Sequence, residues 1–240
     1  MTKSYLELLV GKLLDDFYAR RINKLSGLKL KNTLKKKNPY LFKAVGIQTA
    51  SEIVEQLLVA YMSSSDEGIF GDAFFEPLAK AVSGGTVSPS EGVDIAVETT
   101  VAYTAIAVKS GPSVFNAQSK RRQNQDFQAL GSRLLKLQKR FDALVGYCYG
   151  NKISEPGERW VFRELAGQKF WEKITGDAEF YLKIVAAMKE RPKLHKDQFQ
   201  EEWGKAINRF TGEFITDYCH RDGSINWPAL VKFNSGKRRG

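Results

Sequence analysis

Cysteine and histidine are scarce in this chain, and their scarcity excludes several chemistries. Among 240 residues there are two cysteines, Cys148 and Cys219, and two histidines, His195 and His220. Two cysteines in a chain of this length cannot form a disulfide scaffold, and they are typical of a reducing compartment. The four residues do not have the paired spacing of a zinc site, and histidine-dependent nucleophilic catalysis has little basis.

Long apolar runs are also absent. The N-terminal stretch YLELLVGKLLDDF is interrupted by Lys12, Asp15 and Asp16, unlike the apolar segment of a signal peptide. No other run reaches the length of a membrane span. We therefore expect a cytoplasmic protein without a membrane partner.

Acidic residues are outnumbered, which indicates the kind of partner. The chain has 37 Lys and Arg against 27 Asp and Glu, a formal net charge of +10 and a pI near 9.5. An excess of this size favours a polyanionic partner, most often nucleic acid. Hydrophobic residues make up 42% of the chain, which is enough for a sizeable core.

The first 82 residues are expected to be helical. Apolar residues at helical spacing predict a helix over 3–25, and Thr49 with Glu52 has the spacing of a capping box that opens another. Between them the basic segment 29–47 is predicted to be a loop. SSSDEG is predicted to be a turn, followed by a helix bent at Pro77.

The middle of the chain has a different composition, rich in Val, Ile, Thr and Ala. After a loop over 83–92, VDIAVETTVAYTAIAVKS predicts two adjacent strands. A basic helix over 117–140 and a short strand in DALVGYCYG follow, and the rest is mainly helical. The order predicts an α/β fold with a small mixed central sheet flanked by helices. We predict a single domain, 1–240, in which residues 1–82 are helical, residues 83–150 form a strand-helix-strand core and residues 151–240 are mainly helical.

Two charged residues are expected to meet at one end of this sheet. Side chains alternate along a strand, so Lys109 shares a face with Tyr103, Ala105 and Ala107. If the two strands pair as a hairpin, Lys109 comes close to Asp94. A carboxylate that holds a divalent cation, with a lysine beside it, suits phosphodiester hydrolysis, and Mg²⁺ suits oxygen ligands of this kind.

The residues at this point resemble a known superfamily. GVD at 92–94 and AVK at 107–109 are similar to the PD-(D/E)XK nuclease signature, in which an aspartate is followed on the next strand by an acid, any residue and a lysine. Segments such as KKKNPYLFKAVGI, SSSDEGIFGDAFFEPLA, KSGPSVFN and DGSINWPALVKFNSGK resemble type II restriction endonucleases of the PmeII-type group. This similarity extends over most of the chain.

The resemblance implies a function. It implies a nuclease-like core and a sequence-specific double-stranded DNA endonuclease that uses Mg²⁺, with Mn²⁺ as a substitute, and leaves 5′-phosphates. It also implies a homodimer, functional pairing with a DNA methyltransferase and a prokaryotic source.

One position departs from the signature. Ala107 stands where the second acid is expected, so either the ligand has moved to another element or the chemistry is weakened. We favour Glu76 as the replacement, with Glu55 second, because both lie on upstream helices that could pack on the sheet. Glu98 is roughly 13 Å along the strand from Asp94 and is a poor substitute. A non-catalytic DNA-binding protein and a repair nuclease without strict specificity stay as alternatives.

Basic and amide side chains supply candidate DNA contacts. Lysine and arginine neutralise phosphates, and amides read adenine edges. The alternative is a helix cap followed by a solvated basic face, or a soluble basic loop. The candidates are Ser110, Asn116, Gln118, Lys120, Arg121, Arg122, Lys35, Lys36 and Lys37. The ending GKRRG is expected to be a flexible basic tail.

Overall fold

A computed structural model of the chain describes residues 2–88 and 90–236, with Val114 described by its backbone only. Except for Gly236, the predicted basic tail GKRRG lies outside the described residues. The helices are α1 Lys3–Ser26, α2 Leu30–Leu34, α3 Pro39–Ala44, α4 Ala50–Phe70, α5 Glu76–Val82, α6 Ala117–Leu135, α7 Gln168–Thr175, α8 Phe180–Met188, α9 Arg191–Tyr218 and α10 Trp227–Ser235. The strands are β1 Thr86–Val87, β2 Ile95–Glu98, β3 Ala102–Lys109, β4 Arg140–Tyr147, β5 Ile153–Ser154 and β6 Arg163–Ala166.

The strands form one six-stranded mixed sheet in the order β1-β2-β3-β4-β6-β5. β1, β2 and β3 are antiparallel neighbours, β4 is parallel to β3 and to β6, and β5 is antiparallel to β6. Helix α6 connects the parallel pair β3 and β4, as a parallel connection requires. The predicted α/β class, with a small mixed sheet and helical segments before and after it, is confirmed.

The alternation of β3 separates two apolar layers. Ala105 and Ala107 pack with residues of α6, such as Phe127, whereas Ile106 and Val108 belong to a second cluster. The second cluster is completed by side chains of α1, α5, α7 and α8. Lys109, two residues after Ala107, therefore lies on the same face of β3 as Ala105 and Ala107, which is the face that α6 covers.

The chain divides into two compact units, which we call the sheet unit and the helical unit. The sheet unit comprises Met1–Phe17 and Gly68–Pro192, and the helical unit comprises Tyr18–Glu67 and Lys193–Gly240. Each has its own apolar core, and that of the helical unit is built from α4 and α9 with the short helices α2, α3 and α10. The single-domain assignment stays a prediction.

The segment 29–47 was predicted to be a loop, and this was partly wrong because it contains α2 and α3. Asn38 Oδ1 accepts hydrogen bonds from the amides of Tyr40 and Leu41, at 3.0 and 3.3 Å. Pro39 follows at the start of α3, where its missing N–H costs nothing. Asn-Pro therefore opens a helix here instead of centring a loop.

The turn predicted at SSSDEG was also wrong, because these residues lie within α4. Serine lowers helix propensity only slightly, and the burial of Met62 just before them keeps the helix in place. The helix passes at Gly71–Phe75 into a π-helical turn, and α5 begins at Glu76. The interruption thus precedes Pro77, which lies in the first turn of α5.

The capping box was predicted correctly. The amides of Gln48 and Thr49 both donate to Glu52 Oε2 at 2.9 Å, and the Glu52 amide donates to Thr49 Oγ1 at 3.3 Å. The strands β1, β5 and β6 were not predicted. Within the described ranges, no helix combines the length and the apolar content that a bilayer span requires.

Candidate active site

Asp94 occupies the point where β2 begins beside the end of β3. Its amide donates to the Ile106 carbonyl at 2.9 Å, which extends the antiparallel ladder by one bond. Its carboxylate Oδ2 accepts the amide of Val108 at 2.7 Å. The side chain is therefore held by backbone at the carboxyl end of β3.

Lys109 lies directly beside this carboxylate, as the alternation of the strands predicted. Its Nζ is 3.8 Å from Asp94 Oδ2, and the two side chains are 30% and 25% exposed. The ammonium also lies 6.0 Å from the ring centroid of Phe115, at the limit of a cation–π contact. A partly exposed Asp–Lys pair at a strand end can reach a phosphate in solution.

Glu76, at the start of α5, belongs to the same group of charges. Lys80 Nζ lies 2.5 Å from Glu76 Oε1, one helical turn along. The negative charge of Glu76 contributes to raising the pKa of Asp94 and, after burial, that of the Cys148 thiol. Asp94, Lys109, Glu76 and Lys80 thus form one cluster of alternating charge, the acid–lysine cluster.

The protonation of Asp94 is shifted by this setting. Burial, the largest effect, raises the pKa of its carboxyl, and the nearby charge of Glu76 raises it further. The Lys109 ammonium and the Val108 amide act in the opposite direction without cancelling the rise. Two carboxylates that disfavour each other's ionisation are stabilised by a cation between them.

The sequence offered Glu76 first and Glu55 second as the acid that replaces Ala107. Ala107 is fully buried in the apolar layer under α6, away from solvent. Glu55 is an exposed residue of α4 and belongs to the helical unit, and its role as a ligand stays a prediction. Glu98 pairs with Lys139 at the opposite end of β2.

The oxygen donors fit a hard divalent cation. Asp94 and Glu76 offer carboxylate oxygens at a partly exposed position, and Mg²⁺ binds through one or two carboxylates while keeping several waters. Across residues 2–88 and 90–236 no group of three or more His, Cys, Asp or Glu side chains could hold a metal. The carboxylates of Asp94 and Glu76 are therefore only candidate ligands for a cation that would keep several waters.

Sequence reasoning missed two residues that support the cluster. Gln123 is buried on α6, and its Nε2 donates at 2.6 Å to the carbonyl of Gly92, two residues before Asp94. Its signal was a polar residue in register with the apolar positions Phe127 and Leu130. Lys80 was also missed, although it follows Glu76 by four residues on a helix.

The predicted contacts after β3 are placed by α6. Asn116 caps the helix by accepting the Ser119 amide at 2.9 Å, and Ser110 lies against Gly71. Lys120 binds Glu164, and Arg122 binds Glu91.

The remaining candidates lie at the surface. Gln118 and Arg121 are exposed on α6. Lys35 and Lys36 are exposed and Lys37 is half-buried, all in the helical unit. The DNA-binding roles of all nine stay predictions.

The fold is an α/β sheet with helices before and after it, and the acid–lysine cluster offers residue types that phosphodiester hydrolysis can use. Residues 4–196 of the chain match the family described as Type II restriction endonuclease EcoO109I. A comparison with curated proteins found no match. The match covers most of the chain, and the protein therefore belongs to the EcoO109I family of type II restriction endonucleases.

Family membership confirms the predicted class. The protein is a site-specific deoxyribonuclease, and its substrate is DNA cut at a defined sequence. Enzymes of this family typically use a divalent metal ion. The matched family is that of EcoO109I, and the narrower PmeII-type assignment stays a prediction.

Proposed function

We propose that this endonuclease cuts double-stranded DNA at the acid–lysine cluster, by hydrolysis that depends on Mg²⁺ or Mn²⁺. The observation that carries the proposal is the 3.8 Å approach of Lys109 Nζ to Asp94 Oδ2 where β2 and β3 meet. Asp94 and Lys109 are both distant in sequence from Glu76. The charge of Glu76 nevertheless adds to the rise that burial causes in the pKa of the Asp94 carboxyl.

Each residue of the cluster has a distinct role. Asp94 and Glu76 would hold the divalent cation, which when bound polarises the phosphoryl group and lowers the pKa of its water. Lys109 stabilises the negative charge that develops on the phosphate oxygens and orients the attacking water. Lys80, paired to Glu76 one helical turn along, would orient that carboxylate. Glu55 stays the second candidate for the missing acid.

The order of elements supports the narrower superfamily assignment. A helix, three antiparallel strands, a helix and a parallel strand follow one another from α5 to β4. Asp94 and Lys109 would take the roles of the PD-(D/E)XK aspartate and lysine, and Glu76 would compensate for Ala107. Cleavage by this chemistry would leave 5′-phosphates, and the PmeII-type group is the candidate subgroup.

The distribution of charge supports a role in DNA binding for the helical unit. It holds 18 of the 37 Lys and Arg but only 10 of the 27 Asp and Glu, so most of the net charge is there. Lys35 and Lys36 are exposed in this unit and would contact phosphates, together with Lys37.

The partners follow from the substrate. Two identical subunits related by a two-fold axis would cut both strands of a symmetric site, so a homodimer is proposed. A DNA methyltransferase that protects the host sequence would be the functional partner.

A cleavage assay tests the proposed site. Plasmid and phage DNA are incubated with Mg²⁺, Mn²⁺ or EDTA and with the wild type, Asp94→Asn or Lys109→Ala. We expect discrete fragments from the wild type with either metal, and none from either variant. Asp72→Asn, an exposed acid on the neighbouring π-helical turn, is the matched control and should cut normally.

Other outcomes would point elsewhere. Full cleavage by Asp94→Asn would overturn the proposed site. A smear would indicate a nuclease without strict specificity, and a gel shift without cleavage under both metals would indicate a DNA-binding relic.

A further inference from the structure

A second charged cluster lies in the sheet unit, around the buried carboxylate of Glu164 on β6. Its side chain is 4% exposed, and Oε1 accepts from Lys120 Nζ at 2.6 Å and from Lys152 Nζ at 2.9 Å. The Tyr147 hydroxyl donates to the same oxygen at 2.6 Å, and the Ser154 hydroxyl donates to Oε2 at 2.9 Å. We call these residues the lysine clamp.

Two lysines share the single carboxylate of the clamp. Burial, the largest effect, and the adjacent Lys152 lower the pKa of Lys120, whereas, against the effect of burial, hydrogen bonds with Lys120 and Glu164 raise the pKa of Lys152. The positive charge that an anion can reach is therefore that of Lys152, which is 36% exposed. Burial acts to raise the pKa of Glu164, but hydrogen bonds from Lys120, Tyr147, Lys152 and Ser154 lower it to about 2, so the carboxylate stays ionised.

The clamp stands beside the proposed active site on the same face of the sheet. Lys109 at the end of β3 is in register with Tyr147 at the end of β4, and the Tyr147 hydroxyl binds Glu164. The ring of Phe115 lies between them, under the Lys109 ammonium and 6.4 Å from the Tyr147 ring. Two strand spacings separate β3 from β6, which is on the order of 10 Å.

We propose that Lys120 and Lys152, held together by Glu164, bind a backbone phosphate of the DNA strand a short distance from the phosphate that is cut. The inference rests on the proposed function, because it takes the acid–lysine cluster as the site of cleavage. Lys152 makes the contact at the surface, Lys120 supplies charge from behind, and Glu164 is a positioning residue. A contact of this kind sets the register of the strand and carries no sequence information.

Salt dependence of DNA binding tests the clamp. The affinity of the wild type, Lys152→Gln and Glu164→Gln for one fluorescently labelled duplex is measured by anisotropy in EDTA over a range of salt concentrations. Each lost phosphate contact reduces the slope of log K against log salt by about 0.9. We expect this reduction for Lys152→Gln. Lys169→Gln, an exposed lysine paired with Glu172 on α7, is the matched control and should keep the wild-type slope.

Glu164→Gln separates positioning from simple charge. Removing a carboxylate makes the chain more positive, and long-range attraction alone would strengthen binding. The positioning role predicts weaker binding, because the two lysines then repel each other and separate. Thermal unfolding of each variant is followed in parallel, and Lys152→Gln, at a partly exposed position, keeps the test available if Glu164→Gln does not fold.

The outcomes distinguish the clamp from the active site. An unchanged slope for Lys152→Gln, or an equal reduction for Lys169→Gln, would overturn the clamp and leave the cleavage assay untouched. Asp94→Asn should lose cleavage while keeping the wild-type slope. If Asp94→Asn still cuts, the proposed active site fails whatever the slopes show.

Discussion

The amide of Val108 donates a 2.7 Å hydrogen bond to the carboxylate of Asp94, from the strand that also carries Lys109. The same strand therefore fixes the acid by its backbone and places the lysine 3.8 Å from it by its next side chain. A backbone donor is not lost when side chains change, so Asp94→Asn should keep its position and lose only its charge. A loss of cleavage in Asp94→Asn would therefore report the loss of the negative charge and not a displaced side chain.

Glu76→Gln should remove one of the two carboxylates that hold the cation. We expect a loss of cleavage rate of at least about 100-fold at low Mg²⁺, partly recovered at high Mg²⁺, because ligand removal weakens metal affinity. Initial cleavage rates over a Mg²⁺ titration measure this. Glu55→Gln, on α4, serves as the comparison and should cut like the wild type. A larger loss for Glu55→Gln would assign the missing acid to Glu55 instead.

Ala107→Glu should destabilise the protein, although it restores the signature residue. Ala107 is fully buried in the apolar layer that includes Phe115 and Phe127, where a carboxylate has little room and no solvent. The expected loss is about 2–4 kcal/mol of unfolding free energy, measured by urea denaturation. Ala107→Ser, which adds one small polar atom, should cost less. An unfolding free energy for Ala107→Glu equal to that of the wild type would contradict this prediction.

Gly71→Ala should have opposite effects on stability in two backgrounds. A Cβ at Gly71 would lie 2.3 Å from Ser110 Oγ, so the substitution is expected to cost about 1–3 kcal/mol in the wild type. With Ser110→Ala the obstruction is gone, and replacing a helical glycine should stabilise by about 0.5–1 kcal/mol. A double-mutant cycle of denaturation midpoints measures the coupling. Equal effects in both backgrounds would show that Gly71 and Ser110, the residue that follows β3, do not contact in this way.

Glu164 should make the stability of the folded protein depend on pH in the acidic range. Its pKa in the folded chain is about 2, against an ordinary value of 4.5, so its contribution is complete above pH 4.5 and is lost as pH falls towards 2. The shift corresponds to stability on the order of 3 kcal/mol at neutral pH. Urea midpoints between pH 7 and 3 should fall less steeply in Glu164→Gln. Glu179→Gln, an exposed acid, should keep the wild-type pH dependence.

Local patterns in the sequence were enough for the core of the candidate site. The alternation of apolar residues predicted the β2–β3 hairpin, and that hairpin brings Asp94 next to Lys109 because antiparallel neighbours return to the same edge. The capping box at Thr49 and Glu52 was predicted for a similar reason, since both residues act within one helical turn. The resemblance carried by these segments then indicated the class that the family match confirmed.

Other elements could not be predicted from local patterns. Strands β5 and β6 have two and four residues, too short for a clear alternation. They form because β6 pairs with the edge of β4 and β5 then pairs with β6. The turn assigned to the serines before Asp66 failed because burial of neighbouring side chains outweighs a weak propensity.

The sequence by itself determined the basic charge, the hairpin and the Asp94–Lys109 pair, because each follows from composition or from contacts between adjacent elements. Only the tertiary structure decided that Glu76 acts on Asp94 and that Lys120 binds Glu164, 44 residues away. Contacts of this kind leave no periodic signal in the chain. They arise when helices α5 and α6 pack on opposite faces of one sheet and bring their charges to it.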